Sequence, residues 1–168
     1  MRLIIVRHAK SSWQQAGISD FERPLAPRGQ HDAPLIAADM AARGLRPALF
    51  LVSAAQRTRE TLGFFLRIFS HDSVLRIDNA LYDGDRDGYI DRVNELTDAY
   101  GDILLLGHNP SVQDAALLLA GTGKEPDLSR MANKFPTGAY AVLSFAAAIA
   151  QPGAGHLDCF VEPRNLAA

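Results

Sequence analysis

Arg7 and His8 stand directly after the apolar run Leu3-Ile4-Ile5-Val6. An imidazole in such a place can act as a nucleophile, and a guanidinium beside it can hold an anion through two parallel hydrogen bonds. The same two residue types recur further along the chain. Arg57 lies in Ser53-Ala54-Ala55-Gln56-Arg57-Thr58-Arg59-Glu60-Thr61, after an apolar run at residues 48–52. His108 lies in Gly107-His108-Asn109-Pro110, after a run at residues 103–106. Taken singly, such a side chain marks no more than the polar end of an element. Taken together, two histidines, two arginines and a helix N-terminus suit a dianionic phosphoryl group.

For these residues to meet, the elements that carry them must lie side by side. Apolar runs of this length, rich in Ile, Val and Leu, predict buried strands near residues 3–6, 48–52, 103–106 and 140–145. Residues 74–77 and 157–161 are weaker strands, read as edges. Helical patterns cover residues 27–43, 54–69, 86–100 and 110–120, with Pro34 inside the first as a point of kinking or delay. Strands alternating with helices imply an α/β fold, a three-layer α/β/α sandwich with a mostly parallel central sheet. Ligands of such sheets collect at the carboxyl ends of the strands, where Arg7, His8, Arg57 and His108 fall. Ser53 with Gln56 three residues later has the spacing of a capping box, and Asn109-Pro110 reads as a cap followed by a first-turn proline.

Composition narrows the classes. The chain has 168 residues, 48% of them hydrophobic, and a net charge of −2, so neither a nucleic-acid coat nor a polybasic membrane anchor is expected. No repeat, low-complexity tract or linker divides it, and a single domain over residues 1–168 is expected. One cysteine, Cys159, cannot form an internal disulfide and is read as packing in a strand, which favours a reducing cytoplasm. The first apolar run meets Arg7 too soon for a signal peptide, and the longest apolar stretch, residues 139–150, is shorter than the ~20 residues a spanning helix needs. With no coiled-coil pattern, a monomer is the default.

Three boxes in this order resemble the histidine phosphatase superfamily, the phosphoglycerate mutase-like fold. Arg7-His8-Ala9-Lys10-Ser11-Ser12-Trp13 corresponds to its Arg-His-Gly box, residues 53–61 to its second arginine box, and residues 107–110 to its second histidine box. The likeness is nearest to the short SixA-type phosphohistidine phosphatases. It extends to Glu22-Arg23-Pro24-Leu25-Ala26-Pro27-Arg28-Gly29, Leu81-Tyr82 and Lys134-Phe135-Pro136-Thr137-Gly138-Ala139, from residue 2 to about residue 164. The resemblance implies that neutral His8 attacks phosphorus in line while Arg7, Arg57 and a protonated His108 hold the oxygens. A phospho-His8 intermediate then yields to water, with neither metal nor cofactor, the cations being side chains.

The chain departs from the family pattern at three places. Ala9 replaces the glycine after the histidine, and Lys10 stands where mutases carry a glutamate. The general acid that mutases place just before the Leu81-Tyr82 region falls near Asn79, with Asp78 and Asp83 adjacent but out of register. An alkoxide leaving group needs a proton in flight, whereas an imidazole already protonated leaves readily, so a missing acid favours phosphohistidine on a protein. Short connections with no spare length for a lid point the same way. The rivals are a small-molecule phosphomonoesterase on this fold and a non-catalytic phosphate- or phosphohistidine-binding module; the intact nucleophile speaks against the module.

Around the pocket mouth, Lys10, Trp13, Arg23, Arg28 and Lys134 are candidate substrate contacts or solvated surface, with Trp13 read as packed. Ser11 and Ser12 either touch phosphate or cap a turn. His31-Asp32 and His71-Asp72 lack further ligands at metal spacing and read as surface pairs. His156 reads as exposed beside a glycine-rich turn. Residues 83–88, Asp-Gly-Asp-Arg-Asp-Gly, lack the terminal glutamate of a calcium loop and read as a turn and helix start.

Overall fold

The structure, a computed structural model, describes residues 1–14, 16–69 and 72–166. His71 lies outside the described residues. The strands are β1 (Arg2–Arg7), β2 (Leu49–Ser53), β3 (Val74–Asp78), β4 (Asp102–Gly107), β5 (Ala120–Gly123), β6 (Tyr140–Ser144) and β7 (Gly155–Val161). The helices are α1 (Pro27–Ala42), α2 (Gln56–Phe65), α3 (Ala80–Asp83), α4 (Arg86–Asn94), α5 (Ser111–Leu119) and α6 (Glu125–Asn133).

The strands form one sheet in the order β3-β2-β4-β1-β6-β7-β5. Only β6 runs against its neighbours, pairing antiparallel with β1 and β7. The three strands that precede the candidate residues, β2, β4 and β1, are adjacent and parallel. Their side chains alternate between two cores, as the two-residue period of a strand requires. Leu3, Ile5, Leu49, Leu51, Ile103 and Leu105 pack under α4 and α5. Ile4, Val6, Phe50, Val52, Leu104 and Leu106 pack under α1 and α2. Burial on both faces explains why these strands read as unbroken apolar runs.

Several local expectations need correction. β7 is an interior strand, because β5 covers its free side. β5 escapes a sequence reading, since Ala120-Gly121-Thr122-Gly123 has no apolar run, and α6 buries only Met131. α1 runs through Pro34 without a break in its assignment. α2 starts at Gln56 with Ala55 at its cap, so Ser53 is not in a capping box. α5 starts at Ser111 with Pro110 in the cap position; the Asn109 side chain turns instead to the Phe135 carbonyl at 3.2 Å and to Gln113. α4 ends at Asn94, short of residue 100. Asp85 caps α4 by accepting from Gly88 N–H at 2.9 Å, as the turn-and-helix reading of that stretch expects. Among the described residues no helix is long and apolar enough to cross a membrane.

Candidate active site

His8 is set by the ends of three strands. Its backbone N–H donates to the Gly107 carbonyl at 3.1 Å, and Gly138 N–H donates to both the Arg7 and His8 carbonyls. Its ring is then fixed in one tautomer. Nδ1–H donates to the Ala9 carbonyl at 2.7 Å, which puts the ring's lone pair on Nε2. That lone pair accepts from Nε–H of Arg57, in the first turn of α2, at 3.3 Å. Burial holds His8 well below the usual histidine range, and the neighbouring His108, Arg57 and Arg7 push the same way against the Ala9 carbonyl. His8 is therefore neutral at pH 7.

His108 follows β4, its ring centre 5.1 Å from that of His8. Its backbone N–H donates to the Tyr89 hydroxyl at 3.2 Å, and that hydroxyl donates to the Leu81 carbonyl. Gly107 permits this contact: a Cβ there would stand 2.5 Å from the Tyr89 ring and hydroxyl. His108 Nε2 lies 2.7 Å from Ser53 Oγ, which also accepts from Ala55 N–H at 3.4 Å. Among the described residues Nε2 is the acceptor within reach of the Ser53 hydroxyl proton, which assigns the proton of neutral His108 to Nδ1. Burial and the Arg57 charge lower His108 to about 4, with Arg7 adding to them and Asp20 opposing. The expected protonated His108 does not describe this state, because two guanidiniums in a dry pocket disfavour a third cation.

These residues line a cavity of about 200 Å³ together with Arg7, Lys10, Ser11, Trp13, Arg23, Asn109 and Thr137. Among the described residues its wall contains no carboxylate. Arg7 is anchored by Nη1 to the Phe135 carbonyl at 2.8 Å. Arg7 Nε, His108 Nδ1 and Asn109 Oδ1 are buried without a hydrogen-bond partner among the described residues, and all three belong to the cavity wall. Arg7 Nε is a donor, and so is His108 Nδ1 in the tautomer assigned above, so both leave a hydrogen bond unmade beside the cavity.

Asp20 is the participant that sequence reasoning missed. Its carboxylate meets Arg57 at 3.1 Å and Arg23 at 2.7 Å, and accepts from the Tyr82 hydroxyl at 2.9 Å. Its backbone carbonyl accepts from Arg57 Nη1 at 2.6 Å. Although desolvation opposes it, the hydrogen bonds from Arg23 and Tyr82 and the Arg57 charge lower Asp20 to about 2. It lies in a short 3-10 turn, Asp20–Glu22, where no periodicity marks it; the only local signal is Arg23 three residues on. Tyr82 itself sits edge-on to His108.

The remaining candidates separate. Lys10, Ser11 and Arg23 join the cavity, but Ser11 Oγ already accepts from Arg23 Nη2 at 2.6 Å. Ser12 is outside it and caps a turn by accepting from Gln14 N–H. Lys134 lines a neighbouring groove instead. Trp13 is exposed, not packed, with Arg23 stacked 3.2 Å over its ring. Asp78 is engaged by Arg92 and by Ala80 N–H, Asp83 and Asn79 are exposed, and none of the three reaches the cavity. His31 pairs with Asp32 on the surface of α1, and exposed His156 meets Thr122. Cys159 is a free, half-buried thiol on β7. Among the described residues no three His, Cys, Asp or Glu side chains group where they could hold a metal.

A pocket of convergent donors around an imidazole nitrogen that carries its ring's lone pair, at the carboxyl ends of adjacent parallel strands, defines a phosphoryl-handling α/β protein. Residues 3–100 match the model of the histidine phosphatase superfamily (branch 1), and the chain belongs to that superfamily. It is 34% identical to Rv1276c of Mycobacterium tuberculosis over 95% of this chain and all of that protein. The fold superposes with a TM-score of 0.83 on a SixA protein of Agrobacterium tumefaciens described as a phosphohistidine phosphatase, at 29% identity over 96% of this chain and 97% of that one. It superposes with a TM-score of 0.80 on the protein histidine phosphatase SixA complexed with tungstate, at 25% identity over 99% and 100%. These relations make the chain a phosphatase of that superfamily.

Proposed function

We propose that the protein removes the phosphoryl group from phosphohistidine on a protein, through a phospho-His8 intermediate and without a metal. The observation that carries this reading is a cavity whose wall offers a neutral imidazole and cations but no acid. In the first step the His8 Nε2 lone pair bonds to phosphorus as the substrate N–P bond breaks. The electron pair stays on the substrate ring, which leaves as neutral imidazole because its far nitrogen already carries a proton. Arg7, Arg57 and the His108 Nδ1–H take the charge that spreads over the equatorial oxygens. In the second step water bonds to phosphorus, the Nε2–P bond breaks, and the water proton departs with inorganic phosphate.

An alkyl phosphomonoester would instead release an alkoxide. The nearest carboxylate, Asp20, is an anion held by three donors and has no proton to give at pH 7. The deciding experiment is turnover of a phosphohistidine protein against an alkyl phosphate, in wild type and in His8→Ala. The expected result is a clear preference for the phosphohistidine and a loss of at least about 10³-fold in the variant. Faster turnover of the alkyl ester would assign the small-molecule reading. Binding without turnover of either would assign the module.

A further inference from the structure

Beside the catalytic cavity runs a second hollow of about 440 Å³ that shares Arg7, Lys10 and Thr137 with it. The groove is further lined by Arg28 of α1, Arg130 and Lys134 at the end of α6, and Arg164 near the C-terminus. Its one carboxylate, Glu162, is buried and already held by Arg164 at 2.9 Å and Arg130 at 3.5 Å. Lys10 and Lys134 are exposed with no ion-pair partner among the described residues, and Arg28 reaches only Asp32 at 3.4 Å. A chain with a net charge of −2 thus gathers six cations on one groove that opens from its phosphate site.

The kind of cation decides what fits. A compact dianion is held by converging buried donors, and the catalytic cavity has these. The groove has the opposite construction: long side chains from four separate segments, with Arg28 and Arg164 side chains 72% and 70% exposed. Dispersed exposed cations act through their summed field on a charge that is also dispersed. We infer that the groove seats an acidic segment of the substrate protein beside its phosphohistidine, an inference that rests on the phosphohistidine reading above.

The test uses phosphohistidine peptides that differ only in their flanks, a run of glutamates against the same run of glutamines. The readout is the ratio of kcat/KM for the two in the full-length protein. Wild type should favour the acidic peptide by about 10-fold, carried in KM, and lose that preference as salt rises from about 50 to 250 mM. In Arg28→Glu/Arg164→Glu the ratio should fall to 1 or below, and a lysine-flanked peptide should gain over the glutamine one. Reading a ratio within each variant removes any general loss of folded enzyme, and the milder Arg28→Gln/Arg164→Gln should give an intermediate ratio. A wild-type ratio near 1 with both peptides turned over would overturn the groove and leave the phosphohistidine reading standing. A comparable preference for a small bisphosphate over a monophosphate, lost in the same variant, would also overturn the segment. Turnover of neither peptide would remove the phosphohistidine reading and this inference with it.

Discussion

At His8, neutrality follows from burial before any partner acts, since desolvation is the first cause of its depressed pKa. Arg57 then has two tasks that pull on one guanidinium: its Nε faces His8, while its Nη atoms are tied to Asp20. Asp20 thus fixes the outer edge of the fork while the inner edge faces His8 Nε2. Asp20→Asn keeps the shape but loses the charge, and should lower kcat by roughly 10- to 100-fold, about 1.4–2.7 kcal/mol in the barrier. KM should not rise, because an anion near the phosphate site is removed at the same time. Steady-state kinetics read both effects, and a rise in KM with kcat unchanged would show that Asp20 acts on binding alone.

At the level of elements, the loop after β1 is held from outside. Ala26 N–H donates to the Lys10 carbonyl at 2.8 Å and Ser12 N–H to the Pro24 carbonyl at 2.9 Å, while Glu60 of α2 accepts from Leu25 N–H at 2.7 Å. Gly29 lets α1 press against this loop: a Cβ there would stand 2.2 Å from the Lys10 carbonyl oxygen. Gly29→Ala must push backbone against backbone, and should cost about 1–3 kcal/mol of stability while lowering turnover through the displaced loop. Gly63 in α2 has nothing within 4 Å of its missing Cβ. Gly63→Ala should stabilise by about 0.4–1 kcal/mol and leave turnover intact. Thermal melts paired with kinetics separate the two glycines, and equal effects would sink the close-approach argument.

Over the whole molecule, the buried site makes folding sensitive to acid. Well above pH 6.5 both histidines are neutral folded and unfolded, and contribute no pH dependence. As pH falls below that, the unfolded chain binds protons that the native His8 and His108 refuse, so stability declines until the native groups titrate, near pH 4 for His108. The His108 shift alone corresponds to about 3 kcal/mol. Asp20 adds a loss further down, between the ordinary carboxylate value of 3.8 and about 2. Melting temperatures across pH 7 to 4 should therefore fall, and His108→Asn should flatten the curve. An unchanged slope in that variant would mean that other groups carry it.

Six of the seven strands, the parallel run of β2, β4 and β1, and the meeting of Arg7, His8, Arg57 and His108 at their ends were legible in the sequence, whereas β5 was not. Burial of β1, β2 and β4 on both faces demands continuous apolar runs, and the polar residues that end those runs lie where parallel strands place ligands. The Ser53 partner of His108, the neutrality of His108, the Asp20 clamp and the stacking of Trp13 on Arg23 were not legible. Each depends on groups from separate segments meeting, and the neutrality of His108 on burial as well, and sequence spacing holds no record of either. The basic groove is a case in between. Its cations were visible one by one as surface or mouth residues, but only the packing of α1, α6 and the C-terminal segment beside β1 gathers them into one field.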